Sequence, residues 1–294
     1  MFILKCLKTC RIRIFFPFLR LHYNTLPWVG AICTIFFSVS IFFFSLQTYA
    51  NQKLKPLKIG DDLNFEGISP KAKHQFLKFI TLDGFRLSAD FYKSVSKERG
   101  TFVIVPDLHD GTYQSVKIFA EKMVEHFNVI ILYPRGHVNS EEFLGTRKFS
   151  LDLVKTKKDS FQFIKDYKAI LEIIQDRKGE LGVETNKCIF VTGRFHSNLI
   201  VTEILEGVSG LVLLSARKEF YKTPTSEHIS KLNQLPILIL ADKYRESELK
   251  EAFQPIQNSK IQMEFFEKIG NGFSILLKRP DTMTTIQNFA ESIQ

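Results

Sequence analysis

Six strand-length runs, most of them apolar without interruption and spaced by stretches of helical periodicity, constrain this chain more than any other feature. They are Thr101–Val105, Asn128–Tyr133, Cys188–Val191, Gly210–Leu214, Pro236–Leu240 and Ile261–Phe266. A strand apolar on both sides must be covered on both faces. The covering elements lie between the runs. Tyr113–Phe127 carries Val116, Phe119, Ala120, Met123 and Val124 at helical spacing. Asp159–Asp176 carries Phe163, Ile164, Tyr167, Ile170, Leu171 and Ile174 on one stripe. Glu246–Phe253 and Thr282–Ser292 read as helices after the last two strands, and a weaker helix falls around Ser226–Leu235. Strand–helix alternation predicts a mostly parallel sheet with right-handed crossovers, layered between helices. Ahead of it, His74–Leu82 and Phe85–Lys93 flank Asp83-Gly84, a hairpin signal that adds antiparallel strands at one edge. Residues 74–294 read as one domain. The one long connection, Glu141–Lys158, is placed to cover a pocket.

The first 73 residues are different. Val29–Leu46 is an 18-residue run without a charge, long enough to cross a bilayer as a helix. Lys5, Lys8, Arg11, Arg13 and Arg20 all precede it, and residues 1–50 hold no Asp or Glu. That asymmetry predicts a cytoplasmic amino terminus and an exported remainder. Thr48 and Ala50 follow the run as small residues of the kind that signal peptidase accepts, so residues 1–50 read as a cleaved signal peptide or as an uncleaved anchor. In the second case residues 29–46 keep membrane contact. Residues 51–73, with Pro56, Gly60, Gly67 and Pro70, read as a linker. Beyond residue 50 the chain holds 35 Lys and Arg against 31 Asp and Glu, a surplus of four with no basic stripe. Nucleic-acid binding is therefore not expected. Of four cysteines only Cys188 lies in the folded part, inside an apolar run, and no Cys/His cluster suggests zinc.

Several turns stand at the ends of these strands. Val105-Pro106-Asp107-Leu108-His109-Asp110-Gly111 follows one. Tyr133-Pro134-Arg135-Gly136-His137-Val138-Asn139-Ser140 follows the next. Val191-Thr192-Gly193-Arg194-Phe195-His196-Ser197 joins a strand-like run to a helix-like run from Asn198 to Glu206. Leu235-Pro236-Ile237-Leu238-Ile239-Leu240 and Ile269-Gly270-Asn271-Gly272 come later. In this order the motifs resemble those of the α/β-hydrolase superfamily across residues 74–294: its oxyanion loop, its D-x-R-G-H-G-x-S turn, its G-x-S-x-G nucleophile elbow, the strand before its triad acid, and its histidine loop. The resemblance implies an α/β-hydrolase-like sandwich with an antiparallel amino-terminal hairpin.

What it implies for chemistry is a scaffold with its catalytic groups replaced. The nucleophile position falls on Phe195, the histidine position on Asn271, and the acid near Tyr244 or Arg245, with Asp242 close by. The triad runs serine, acid, histidine along the chain, yet no histidine occurs from Ile229 to Gln294. His137 belongs to a turn in which the family's histidine is structural. The rival nucleophile is Ser197, with His196 and Asp242 as partners. Phe195 and Leu199 would then stand where the elbow needs glycine, and the alternative role for Ser197 is to cap a helix beginning at Asn198. Asp107 and Asp110 flank His109, and carboxylates there oppose the stabilisation of an oxyanion. They offer a hydrogen-bonded cluster with His109, or weak cation ligands. A phenyl ring at the elbow predicts relaxation to ordinary backbone geometry, or Phe195 lying across the old pocket as an apolar plug. The functional expectation is an exported, non-catalytic hydrolase-like protein, a pseudoenzyme with a binding or structural role and no metal or organic cofactor. Its ligand would be a small apolar molecule or a protein partner. The alternative is an active serine hydrolase, an esterase, lipase or peptidase using Ser197.

Overall fold

A computed structural model describes residues 72–96, 100–107, 113–137, 140, 142–143, 147–148, 154, 156–203, 205–232, 235–254 and 260–293. The expected leader and membrane span, most of the linker, and the segment 108–111 with His109 and Asp110 lie outside them. Among the described residues no helix is long and apolar enough to cross a membrane.

Eight strands form one sheet: β1 (His74–Ile80), β2 (Arg86–Tyr92), β3 (Thr101–Val105), β4 (Asn128–Tyr133), β5 (Cys188–Gly193), β6 (Val208–Leu214), β7 (Ile237–Asp242) and β8 (Ile261–Phe266). Their spatial order is β1-β2-β4-β3-β5-β6-β7-β8. The first two pairings, β1 with β2 and β2 with β4, are antiparallel, and every later pairing is parallel. The hairpin signal holds: Gly84 takes φ 85°, and its N–H donates to the Thr81 carbonyl at 2.8 Å.

The main helices are α1 (Tyr113–Met123), α2 (Phe163–Asp176), α3 (Arg194–Ile200), α4 (Glu246–Phe253) and α5 (Asp281–Ser292). Side chains alternate across a strand, so the continuous apolar runs feed two cores. Val103, Val105 and Phe190 face one core with the α2 stripe, Leu199 of α3 and Phe253 of α4. Phe102, Ile104, Ile189 and Val191 face the other with Val116 and Phe119 of α1 and Ile286 of α5. Each fully buried side chain of this size contributes roughly 1.5–3 kcal/mol.

Several expected elements differ, three of them by more than a shift of their ends. The helix expected over Asp159–Asp176 is interrupted, as Lys157–Ser160 and then α2. The weak helix around Ser226–Leu235 is one turn, Thr225–Ile229, behind a small ribbon pairing Glu219–Phe220 with Thr223–Pro224. The third difference matters most. β5 runs on to Gly193 because Thr192 and Gly193 stay in the parallel ladder opposite Leu213 and Leu214. The following helix therefore begins at Arg194, not at Asn198.

Candidate functional site

The carboxyl ends of β3, β5, β6 and β8 deliver four segments to one place. From β3 comes Asp107, from β5 the junction Gly193–Arg194, from β6 the turn Ser215–Arg217, and from β8 the loop Ile269–Phe273. The junction turns within one residue. Gly193 has extended geometry at φ −113°, and Arg194 is already helical in register but left-handed, at φ 39°. This corrects two expectations. The left-handed elbow position belongs to Arg194, one residue before Phe195, and the junction has not relaxed. A non-glycine residue there costs on the order of 1–2 kcal/mol. Such geometry persists where the surroundings impose it, and it concentrates at functional positions.

The surroundings are specific. Asn198, one turn into α3, donates from Nδ2 to the Arg194 carbonyl at 2.8 Å and accepts on Oδ1 from the Arg217 N–H at 2.8 Å. It thus ties the elbow to the turn after β6. Ser215, itself at φ 64°, accepts on Oγ from the Gly272 N–H at 2.9 Å, which ties that turn to the loop after β8.

At the centre lies Asp107, 2% exposed. A methyl group on either Gly193 or Gly272 would land on its carboxylate. Two glycines from different segments thus clear the space for one side chain. Gly272 has a second reason, its φ of 58°. Asp107 Oδ2 accepts one long bond, from the Phe273 N–H at 3.4 Å. Its Oδ1 has no hydrogen-bond partner among the described residues. Burial pushes its carboxyl up to about 6, against the smaller pulls of the Phe273 N–H and the Arg194 charge. Asp107 and Arg194 open onto a pocket of about 460 Å³, with Arg217 and Glu219 in its wall and Phe195 and Phe220 as its apolar side.

The structure does not bring Ser197, His196 and Asp242 together. Ser197 lies inside α3, fully buried. Its Oγ donates to the Thr192 carbonyl at 2.7 Å and lies 3.3 Å from that of Leu214. It is a helix residue bonded back to the strand, neither a nucleophile facing the pocket nor a cap. The cause is the early helix start, which turns residue 197 toward the sheet. His196 points elsewhere, with Nδ1 2.5 Å from the Tyr167 hydroxyl of α2, and burial holds its ring well below the usual histidine range. Asp242 receives the N–H groups of Tyr244 at 3.3 Å and Ile269 at 3.0 Å, so it organises the β7 and β8 loops. Phe195 is half-buried against Phe163 and Phe220, with ring centroids 5.7 and 5.8 Å apart. It forms a wall of the pocket rather than a plug across it. Asn271 lies in the loop after β8, where its N–H donates to Ser274 Oγ at 3.1 Å.

Cys188 is fully buried, and burial pushes its thiol up to about 12, so it serves as core. Among the described residues no group of three or more His, Cys, Asp or Glu side chains is arranged to hold a metal ion.

Solved structures share this fold. DcsB, in complex with its substrate analogue, aligns with a TM-score of 0.56 at 14% identity, over 76% of this chain and 100% of its own. The esterase Est22 aligns with 0.53 at 13% identity, over 76% of this chain and 81% of its own. The Pyrococcus furiosus esterase Pf2001 aligns with 0.54 at 13% identity, over 76% of this chain and 93% of its own. This chain has the α/β-hydrolase fold. At such identities the likeness is one of fold, and fold does not carry activity with it. No family model matches the sequence, and no curated protein matches it at a significant level. In this chain the junction of β5 and α3 carries Arg194, and the loop after β8 carries Asn271.

The turn most specific to the resemblance, Tyr133 to Ser140, has a structural role. Arg135, 2% exposed, donates from Nε and Nη2 to Asp166 Oδ1 at 2.9 and 2.6 Å. It also donates from Nη1 to Asp83 Oδ2 at 3.0 Å and stacks over Phe85 at 5.0 Å. Neither Asp107 nor Arg194 is among the candidate site residues that the sequence offers, although both line the pocket. The signal available for Asp107 was a carboxylate in an oxyanion loop. Arg194 had no signal until the end of β5 was known.

Proposed function

We propose that this protein is a non-catalytic α/β-hydrolase-fold protein that binds a small ligand in the pocket at its elbow. The observation that carries the reading is Arg194 in the left-handed elbow position. A guanidinium is always protonated and is no nucleophile. The reading has two further supports. No histidine follows His228, so the histidine loop has no general base to offer. Ser197, the rival nucleophile, spends its hydroxyl on backbone carbonyls inside the fold. The structurally similar proteins named as esterases make hydrolysis the reading to test against. We propose further that the protein works outside the cytoplasm, exported or held by residues 29–46, on the charge asymmetry of its first 50 residues.

A fluorophosphonate probe and p-nitrophenyl acetate test the catalytic half. Full-length protein is expected to take no covalent label and to turn over the ester no faster than buffer. Labelling that survives denaturation and disappears in Ser197→Ala would overturn the reading and restore the serine hydrolase.

A further inference from the structure

We propose that the elbow pocket is a recognition site for the carboxylate of a small amphipathic organic acid, held between Arg194 and the buried Asp107 with its apolar part on Phe195 and Phe220. The inference rests on the binding reading above and names its ligand class.

Three observations converge. Asp107 is 98% buried by its 2% exposure, lines the pocket, and has an oxygen with no partner among the described residues. Such an atom loses free energy unless something fills the gap. Arg194 lies beside it and acts on it electrostatically, yet its guanidinium forms no hydrogen bond or ion pair among the described residues. An Asp and an Arg side by side without a mutual bond leave both needs open. The pocket is also of mixed character, with Phe195 and Phe220 lining it beside the polar groups, and its roughly 460 Å³ suits a small molecule.

A ligand carboxylate meets both needs at once. Its two oxygens match the planar fork of a guanidinium. One of them can share a proton with the Asp107 carboxyl, since two carboxyl groups in contact do not both ionise. An amine would satisfy Asp107 but meet the charges of Arg194 and Arg217. An alcohol would satisfy Asp107 and leave Arg194 unmet.

Binding is therefore coupled to protonation. Among the described residues, the charged and titratable groups that line the pocket with Asp107 are Arg194 from the elbow and Arg217, Glu219 and Tyr221 from the segment after β6. The Gly272–Phe273 segment offers it backbone only. Asp107 ionises near 6 in the free protein, so an incoming anion at pH 7 draws a proton from solvent onto the pair.

The test is calorimetric titration of the full-length protein with three matched probes: 3-phenylpropionate, 3-phenylpropanol and 3-phenylpropylamine. The carboxylate is expected to bind about tenfold or more tightly than the alcohol, and the amine not at all. Its affinity should fall about tenfold or more from pH 5.5 to 7.5, and at pH 7 heats in buffers of different ionisation enthalpy should report proton uptake. Asp107→Asn should abolish the uptake and the pH dependence. Arg194→Gly, which suits the left-handed backbone, should remove the preference for the carboxylate. If the alcohol or amine binds as well as the carboxylate, or the pH dependence survives in Asp107→Asn, this inference falls and the pocket remains a binding site. If none of the three binds, the pocket reading falls with it.

Discussion

Arg194 holds two properties that sequence rules keep apart: a long charged side chain and a left-handed backbone. The second costs free energy that glycine would not lose. Replacing the side chain by hydrogen and by methyl separates the two. Within an ordinary helix Arg→Gly is worse than Arg→Ala by about 1 kcal/mol. At φ 39° the order should reverse, with Arg194→Gly more stable than Arg194→Ala by about 1 kcal/mol in urea denaturation. Equal stability, or alanine the better, would show that the elbow has relaxed. The left-handed residue is 194 and not 195, and the sequence conceals it for a definite reason. Left-handed geometry marks itself in a sequence by glycine or asparagine, and arginine carries no such mark. Asp107 was legible as an obstacle to oxyanion chemistry. Its burial between Gly193 and Gly272 was not, because the two glycines lie 79 positions apart.

Among the elements, strands were the easiest to read. β3 and β4 match their expected bounds because side chains buried on both faces leave apolar runs, and β8, a half-buried edge strand, matches them as well. β5 was read two residues short because Thr192 and Gly193 look like a turn, but a parallel ladder pairs backbone whatever the side chains are. That shift moved Ser197 from a cap into a helix. The turn that carries Arg135 was legible by resemblance, yet the clamp that Arg135 makes was not. It joins the β4 turn to α2 through Asp166 and to the opening hairpin through Asp83. Asp166 is fully buried, and burial pushes it up to about 6 despite the pull of Arg135. Asp83, less buried and shared with Lys165, is held below the usual carboxylate range, its bonds to Arg135, Thr81 and Lys165 outweighing the opposing effect of burial. Arg135→Met should therefore cost about 3–5 kcal/mol, by leaving Asp166 alone in the core. The double variant Arg135→Met with Asp166→Leu should recover most of that loss in the same denaturation assay. A single variant as stable as the native protein would remove the clamp from the account of the fold.

For the whole molecule, the elbow trades stability for an unmet carboxylate. Asp107 binds its proton more tightly in the folded protein, near 6, than in the unfolded chain, near 3.8. Its contribution is thus complete below about pH 4 and is lost as pH rises through 6. Above 6 the folded protein carries a buried charge, at a cost on the order of 3 kcal/mol. An amide in the same place carries no charge at any pH. Asp107→Asn should accordingly match the native protein near pH 4 and exceed it in stability by about 2–3 kcal/mol near pH 8, read as the difference between urea curves at each pH. A gain that is the same at both pH values would mean that Asp107 is not ionising inside the fold. A pH-dependent gain would mean that at neutral pH the protein keeps a group that weakens it, and such a group is retained most readily where something binds to it. The same titration in the presence of 3-phenylpropionate joins stability to binding. A bound carboxylate keeps Asp107 protonated, so the ligand should raise the stability of the native protein more at pH 6 than at pH 8, and Asp107→Asn should erase that difference.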